Sequence, residues 1–227
     1  MRLLPIAIVL ILGIFLYNQS TSGIDSKINA DNGGNEAFIK QVQSSSGEWI
    51  ESLESPVFDN KTISQLPQKP ETNSNLSVLG SHLASDGSEK WIEIDLSDMK
   101  LFAWEGNRKA YEFSVSTGRP GYKTPSGEYR VWRKVRSQRY KGGAPGTSGY
   151  YNLPNVPYSL FFYKGYAIHG AYWHNDFGIK NRSSGCVNLY PDNAKVIYEW
   201  AGPAMPAGIG AVNSDADNPG IRVLVHE

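Results

Sequence analysis

A mainly β domain with one principal helix is the fold class predicted for residues 87–227 of this chain. Three observations predict it. Short runs with period-two alternation recur from Lys90 to the end of the chain, and turn-forming residues separate them. A single stretch, opening at Pro191, carries helical spacing together with start and stop signals.

Residues 91–96 alternate as a half-buried strand should, and Ser97-Asp98 supplies a turn. Residues 99–104 form the returning strand, and Glu105-Gly106-Asn107 the next turn. Residues 111–116 make a third strand and residues 128–135 alternate again. Residues 158–163 and 166–169 form a hairpin around Lys164-Gly165. Pro191-Asp192 opens the helix, with proline suited to the first turn and the acidic residue to the N-terminal dipole. Ala194, Val196, Ile197 and Trp200 supply its apolar face, and Gly202-Pro203 ends it. Residues 221–226 close the chain as a strand. Residues 137–157, rich in Gly, Pro and Tyr, are expected as a long loop, either a flap over the cysteine or a disordered excursion.

The first half differs in character. Met1-Arg2 precedes an apolar run over residues 3–17, the layout of an export signal. The run is shorter than the roughly 20 residues of a spanning helix. Residues 1–22 are therefore expected as a signal peptide or an uncleaved N-terminal anchor. The folded part is then expected outside the cytoplasmic membrane, in the periplasm or cell wall. Residues 23–86 are rich in Ser, Asn, Asp, Gln and Gly and read as a polar, flexible spacer. Within it Phe38, Val42, Trp49, Ile50 and Leu53 carry a weak helical pattern.

Composition narrows the function classes. The 22 basic and 22 acidic residues give a formal net charge of zero, which argues against a nucleic-acid partner. The single cysteine, Cys186, rules out an internal disulfide and a cysteine-rich zinc site. His169, His174 and Cys186 are too sparse and irregular a set to suggest a metal centre, and no cofactor is expected.

The chemistry-bearing stretch runs from Ile168-His169-Gly170 to Ser183-Ser184-Gly185-Cys186-Val187-Asn188-Leu189. A thiol with a free pKa of about 8.5 is mostly protonated at neutral pH. A nearby imidazole can take that proton and leave a nucleophilic thiolate. Small residues ahead of Cys186 let a carbonyl approach the backbone, where the N–H groups of Ser184, Gly185 and Cys186 are candidate donors to an oxyanion. His174 is expected as a loop residue at the pocket mouth.

The strand-ending His169-Gly170, the Ser183-Ser184-Gly185-Cys186-Val187-Asn188-Leu189 run, Ser116-Thr117-Gly118 and Thr124-Pro125-Ser126-Gly127-Glu128-Tyr129 occur in this order. Together they resemble the L,D-transpeptidase catalytic domain, over nearly the whole segment from Trp91 to the C-terminus. The resemblance implies a β-sandwich-like, mostly antiparallel domain, with Cys186 as nucleophile and His169 as base. It implies that the carbonyl of Gly170 orients the base, and that Trp173, Ser183 and Asn188 belong to the substrate pocket. The implied substrate is a peptidoglycan stem tetrapeptide, attacked between its third, diamino residue and the terminal D-Ala. An amine of a neighbouring stem resolving the thioester gives a 3→3 cross-link, and water in that role gives an L,D-carboxypeptidase. Carbapenems are implied as covalent inhibitors. One position departs from the pattern: the family usually has Ser-His-Gly-Cys, and Ser184 stands where that histidine would be. A catalytically silent wall-binding domain is the reading that competes with the enzyme.

Overall fold

Alternation along Lys90–Asp95 (β4) buries Lys90, Ile92 and Ile94 and leaves Trp91, Glu93 and Asp95 half-buried. The same logic runs through Lys100–Glu105 (β5), which pairs antiparallel with β4 so that Trp91 faces Trp104 and Ile94 faces Leu101. The computed structural model describes residues 34–51, 54–71 and 78–227. The expected export segment, residues 1–22, lies outside them. Among the described residues no helix is long and apolar enough to cross a membrane.

Two sheets enclose the main core. One has five strands in the order β6 (Arg108–Ser114), β5, β4, β14 (Arg222–His226) and β7 (Gly127–Arg130). The C-terminal strand enters between β4 and β7, parallel to the first and antiparallel to the second. The other sheet has seven strands. Its path runs β11 (Val187–Leu189), β10 (Tyr166–Gly170), β9 (Tyr151–Tyr163), β1 (Val57–Phe58) and β2 (Lys61–Thr62). On the side of β9 away from β10 it continues to β8 (Arg133–Gly142) and β13 (Ala211–Asn213). A two-stranded piece joins β3 (Val78–Leu79) to β12 (Met205–Pro206).

Ile92, Leu101 and Val223 of the five-stranded sheet share one core with Leu160, Ile168 and Val187 of the other and with Ile197 of the helix Pro191–Trp200 (α2). This is the mainly β, sandwich-like arrangement with one principal helix after Cys186. The buried face of α2 is Ala194, Ile197, Tyr198 and Trp200, so Tyr198 takes the inward place expected of the half-buried Val196. Burial of this face supplies most of the helix's stability, because ten residues are too few to hold a helix alone.

The seven-stranded sheet is covered on both faces. Leu160 and Phe162 point into the main core, while Phe161 points into a second cluster with Tyr140, Ala167, Trp173 and Phe38. This explains why residues 158–163 read as a continuous apolar run rather than an alternating one.

Two expectations need correction. Residues 137–157 are mostly strand: 137–142 belong to β8 and 151–157 to β9, paired from Arg133↔Phe161 to Gly142↔Tyr151 with a register shift between Gln138 and Tyr140, and only 143–150 form a loop. Pro154 and Pro157 are tolerated because β10 pairs with β9 only over residues 160–163, so neither proline faces β10. The alternation of residues 128–135 belongs to two strands, β7 in one sheet and β8 in the other, separated at Val131-Trp132.

The segment expected as a free spacer is in part docked. Glu36–Ser44 forms a helix (α1) capped by the Asn35 side chain, which accepts from Ala37 N–H at 2.8 Å. Phe38 and Val42 of α1 are buried in the second cluster. Asn155 then mimics a strand neighbour, its amide accepting from Ile50 N–H at 3.1 Å and donating to Ile50 C=O at 2.7 Å.

Candidate active site

His169 is the fourth residue of β10, and Cys186 immediately precedes β11. The two strands run parallel with Ile168 opposite Val187 and His169 opposite Asn188. Side chains alternate between faces, so Ile168, Val187 and Leu189 enter the main core. Ala167, His169, Cys186 and Asn188 project to the opposite face. His169, Cys186 and Asn188 line one cavity there, with Trp173, Ser183 and Ser184. The structure thus brings together the sequence-derived site residues. Gly170 and Gly185 contribute backbone rather than cavity-lining side chains.

The His169 ring is buried, 2% exposed, and its Nδ1 lies 3.1 Å from the Gly170 carbonyl oxygen. A carbonyl can only accept, so Nδ1 carries the proton and the Nε2 lone pair is left to act as base. Burial lowers the ring's pKa to about 4, against a smaller opposing effect of the Gly170 hydrogen bond. The ring is therefore neutral at pH 7, as a base must be. Tyr140 meets it edge-on, with ring centres 4.8 Å apart.

The cysteine loop is clamped on its far side by the Ser116-Thr117-Gly118 block. Ser116 and Asn188 exchange backbone hydrogen bonds of 3.0 and 2.8 Å, and Ser183 N–H donates to Thr117 C=O at 3.1 Å. The Ser183 hydroxyl donates to Cys186 C=O at 2.6 Å and accepts Gly185 N–H at 3.0 Å. Ser183 therefore ties the loop together. Gly185 N–H is engaged this way, which takes it out of the expected set of oxyanion donors. The φ of Gly185 is +115°, a conformation that favours glycine and turns the backbone just ahead of the thiol. The Cys186 sulfur is partly exposed and lies 4.0 Å from Gly165 C=O.

His174 is a half-buried loop residue, as expected, but it does not itself line the cavity. Its ring packs against Phe177 at 4.8 Å, its Nδ1 accepts Asp176 N–H at 3.2 Å, and its Nε2 lies 3.0 Å from the Asn188 amide. Burial lowers its pKa to about 4.

Several cavity residues escape sequence reasoning. Phe38 of α1, Phe58 of β1 and the hairpin residues Tyr140, Tyr151 and Leu153 form the apolar wall facing Cys186. Phe58 stacks obliquely on Trp173 at 5.9 Å. The Phe38–Val42 spacing was the only sequence signal pointing at any of them. Trp173 Nε1 and one end of the Asn188 amide are buried without a partner among the described residues. A substrate presenting hydrogen-bonding groups at these two points would satisfy both. Among the described residues no group of three or more His, Cys, Asp or Glu side chains is placed to share a metal ion.

The model of the L,D-transpeptidase catalytic domain matches residues 89–209, more than half of the chain. The chain belongs to that family. Among solved structures, an L,D-transpeptidase from Mycobacterium smegmatis superposes with a TM-score of 0.50 at 22% identity, over 62% of this chain and 60% of that one. That similarity shows the shared fold. L,D-transpeptidase 3 from Mycobacterium tuberculosis, in complex with a faropenem-derived adduct, gives 0.49 at 22% identity over 61% and 60%. A mutant of the Enterococcus faecium L,D-transpeptidase gives 0.46 at 25% identity over 60% and 49%. The chain thus spans about 60% or less of the length of these solved relatives. A comparison with curated proteins returned no match.

Proposed function

We propose that this protein is a cysteine-dependent L,D-transpeptidase acting on peptidoglycan stem peptides. The observation that carries the reading is the shared face of β10 and β11. It sets a neutral imidazole with an available Nε2 and the chain's single thiol on one cavity wall. His169 takes the thiol proton, and the Cys186 sulfur attacks the carbonyl joining the diamino residue to the terminal D-Ala of a donor tetrapeptide. Ser184 N–H steadies the developing oxyanion. The imidazolium returns its proton to the departing amine, D-Ala leaves, and a thioester remains on Cys186. His169 then removes a proton from an acceptor amine, which displaces the thiolate and completes a 3→3 cross-link. Water in place of that amine gives the carboxypeptidase outcome. Carbapenems follow the first half of the route, their strained ring opening onto the thiol. We place the domain outside the cytoplasmic membrane, delivered by residues 1–22, because its substrate is there.

The test is product analysis. The full chain incubated with a stem tetrapeptide should release D-Ala and give a dimer of donor plus acceptor minus D-Ala, and Cys186→Ser should give neither. Absence of both products with folded protein would favour a silent wall-binding domain, and free tripeptide without dimer would favour a carboxypeptidase.

A further inference from the structure

A second hollow of about 260 Å3 lies beside the thiol cavity, and Phe58 lines both. Its other walls include Asp59, Arg119, Gly149, Lys180 and Arg182. Arg119 is held from three sides. Its backbone N–H donates to Ser183 C=O at 3.0 Å, and its guanidinium lies over the Tyr122 ring at 4.1 Å. Its Nη1 donates to the Ser184 hydroxyl at 2.9 Å and reaches Arg182 C=O at 3.5 Å. This leaves most of the five guanidinium N–H donors to other acceptors.

The charges around the hollow favour an anion. Asp59 is occupied by Gly149 N–H at 2.8 Å and the Ser148 hydroxyl at 3.2 Å, and Asp176 pairs with Arg182 at 2.6 Å. Three cations therefore face two carboxylates. Lys180 is exposed and makes no ion pair among the described residues. A planar guanidinium fixed by stacking and a hydrogen bond suits bidentate capture of a carboxylate.

We propose that this hollow is a subsite for the terminal carboxylate of the acyl-donor peptide, with Arg119 as its main contact and Lys180 adding charge. The assignment rests on the donor-peptide reading above. Arg119 grips Ser184, two residues ahead of Cys186, so a carboxylate seated on it lies close to the reacting bond. The terminal carboxylate is the donor group that chemistry places there: only one carbon separates it from the leaving nitrogen. Ser184 thereby gains a role of its own, since its hydroxyl couples the carboxylate-binding guanidinium to the loop that presents the thiol.

The experiment is calorimetric binding to the full chain carrying Cys186→Ser, which prevents turnover. The ligands are a tetrapeptide with a free terminal carboxylate and the same peptide ending in a carboxamide. The acid should bind about tenfold or more tightly, the effect of one charge-assisted pair. Arg119→Gln should abolish that preference by weakening the acid far more than the carboxamide, and Lys180→Gln should reduce it in part. The proposal is overturned if acid and amide bind alike, if the preference survives Arg119→Gln, if that variant weakens both ligands equally, or if neither peptide binds. The transpeptidase reading is judged separately, on cross-linked product from the chain with Cys186 intact. That product can appear whether or not the acid is preferred.

Discussion

Nε2 of His174 lies 3.0 Å from the side-chain amide of Asn188, the residue two positions beyond the thiol. His174 Nδ1 accepts a backbone N–H, so the neutral ring carries its proton on Nε2. The hydrogen-bond network then assigns the amide oxygen to His174 and the NH2 to the buried, unpartnered end. His174 is thus a positioning residue for Asn188. His174→Phe, which keeps a ring and removes the hydrogen bond, should slow acylation of Cys186 about tenfold, the worth of one ordinary hydrogen bond. His174→Gln should restore part of the rate. Acylation rate constants with one donor measure this, and an unchanged rate in His174→Phe would remove the role.

The pH dependence of acylation should report the buried His169. Its pKa near 4 keeps it neutral over the physiological range. The acid limb of the profile should therefore fall near pH 4 rather than near the ordinary 6.5, and His169→Ala should lower the rate about 10²–10⁴-fold. A pH–rate profile from 3 to 9 checks this, and an acid limb at 6.5 or above would contradict it.

Stability should follow the same two histidines. His169 and His174 are both held near pKa 4 by burial, whereas in the unfolded chain they titrate near 6.5. Between those values the unfolded state binds more protons. The folded state therefore has its full stability above about pH 6.5 and loses it as pH falls towards 4, by up to about 1.4 kcal/mol per pH unit for each group. Urea midpoints at pH 7, 5.5 and 4.5 test this, and a midpoint independent of pH would count against it.

Much of the fold was legible. The β4–β5 hairpin and α2 follow directly from alternation, turn residues and helix start and stop signals. What stayed hidden has physical reasons. Alternation over residues 128–135 says which side chains share a face but not that the chain changes sheet at Val131-Trp132. Gly and Pro between residues 137 and 157 suggest a loop only until the unpaired side of β9 is known. Cys186, His169 and their neighbours were legible because their chemistry is local. Phe38 and Phe58 were not legible as cavity walls, because they meet the thiol cavity across more than a hundred residues of chain. Arg119 was equally hidden, since its contact with Ser184 depends on the clamp that Ser116-Thr117-Gly118 puts on the cysteine loop.

Gly170 combines tight packing with a hydrogen bond to the His169 ring. A Cβ there would lie 2.9 Å from Pro157 Cγ and 3.2 Å from Pro191 Cα, so β9 or the start of α2 must move. Gly170→Ala should cost about 1–3 kcal/mol of stability, as overpacking does. It should also slow acylation, because the same residue's carbonyl holds His169 Nδ1. Thermal unfolding and acylation rate measured on one preparation would show both losses, and a variant matching the parent in both would refute the argument.

The central claim is that Cys186 is an acylated nucleophile activated by His169. Intact-protein mass after exposure of the full chain to a carbapenem tests it most directly. The account predicts one added carbapenem mass per chain, none with Cys186→Ser, and a markedly slowed gain with His169→Ala. No adduct on folded protein whose Cys186 still reacts with a small alkylating agent, or an adduct that persists in Cys186→Ser, would contradict it.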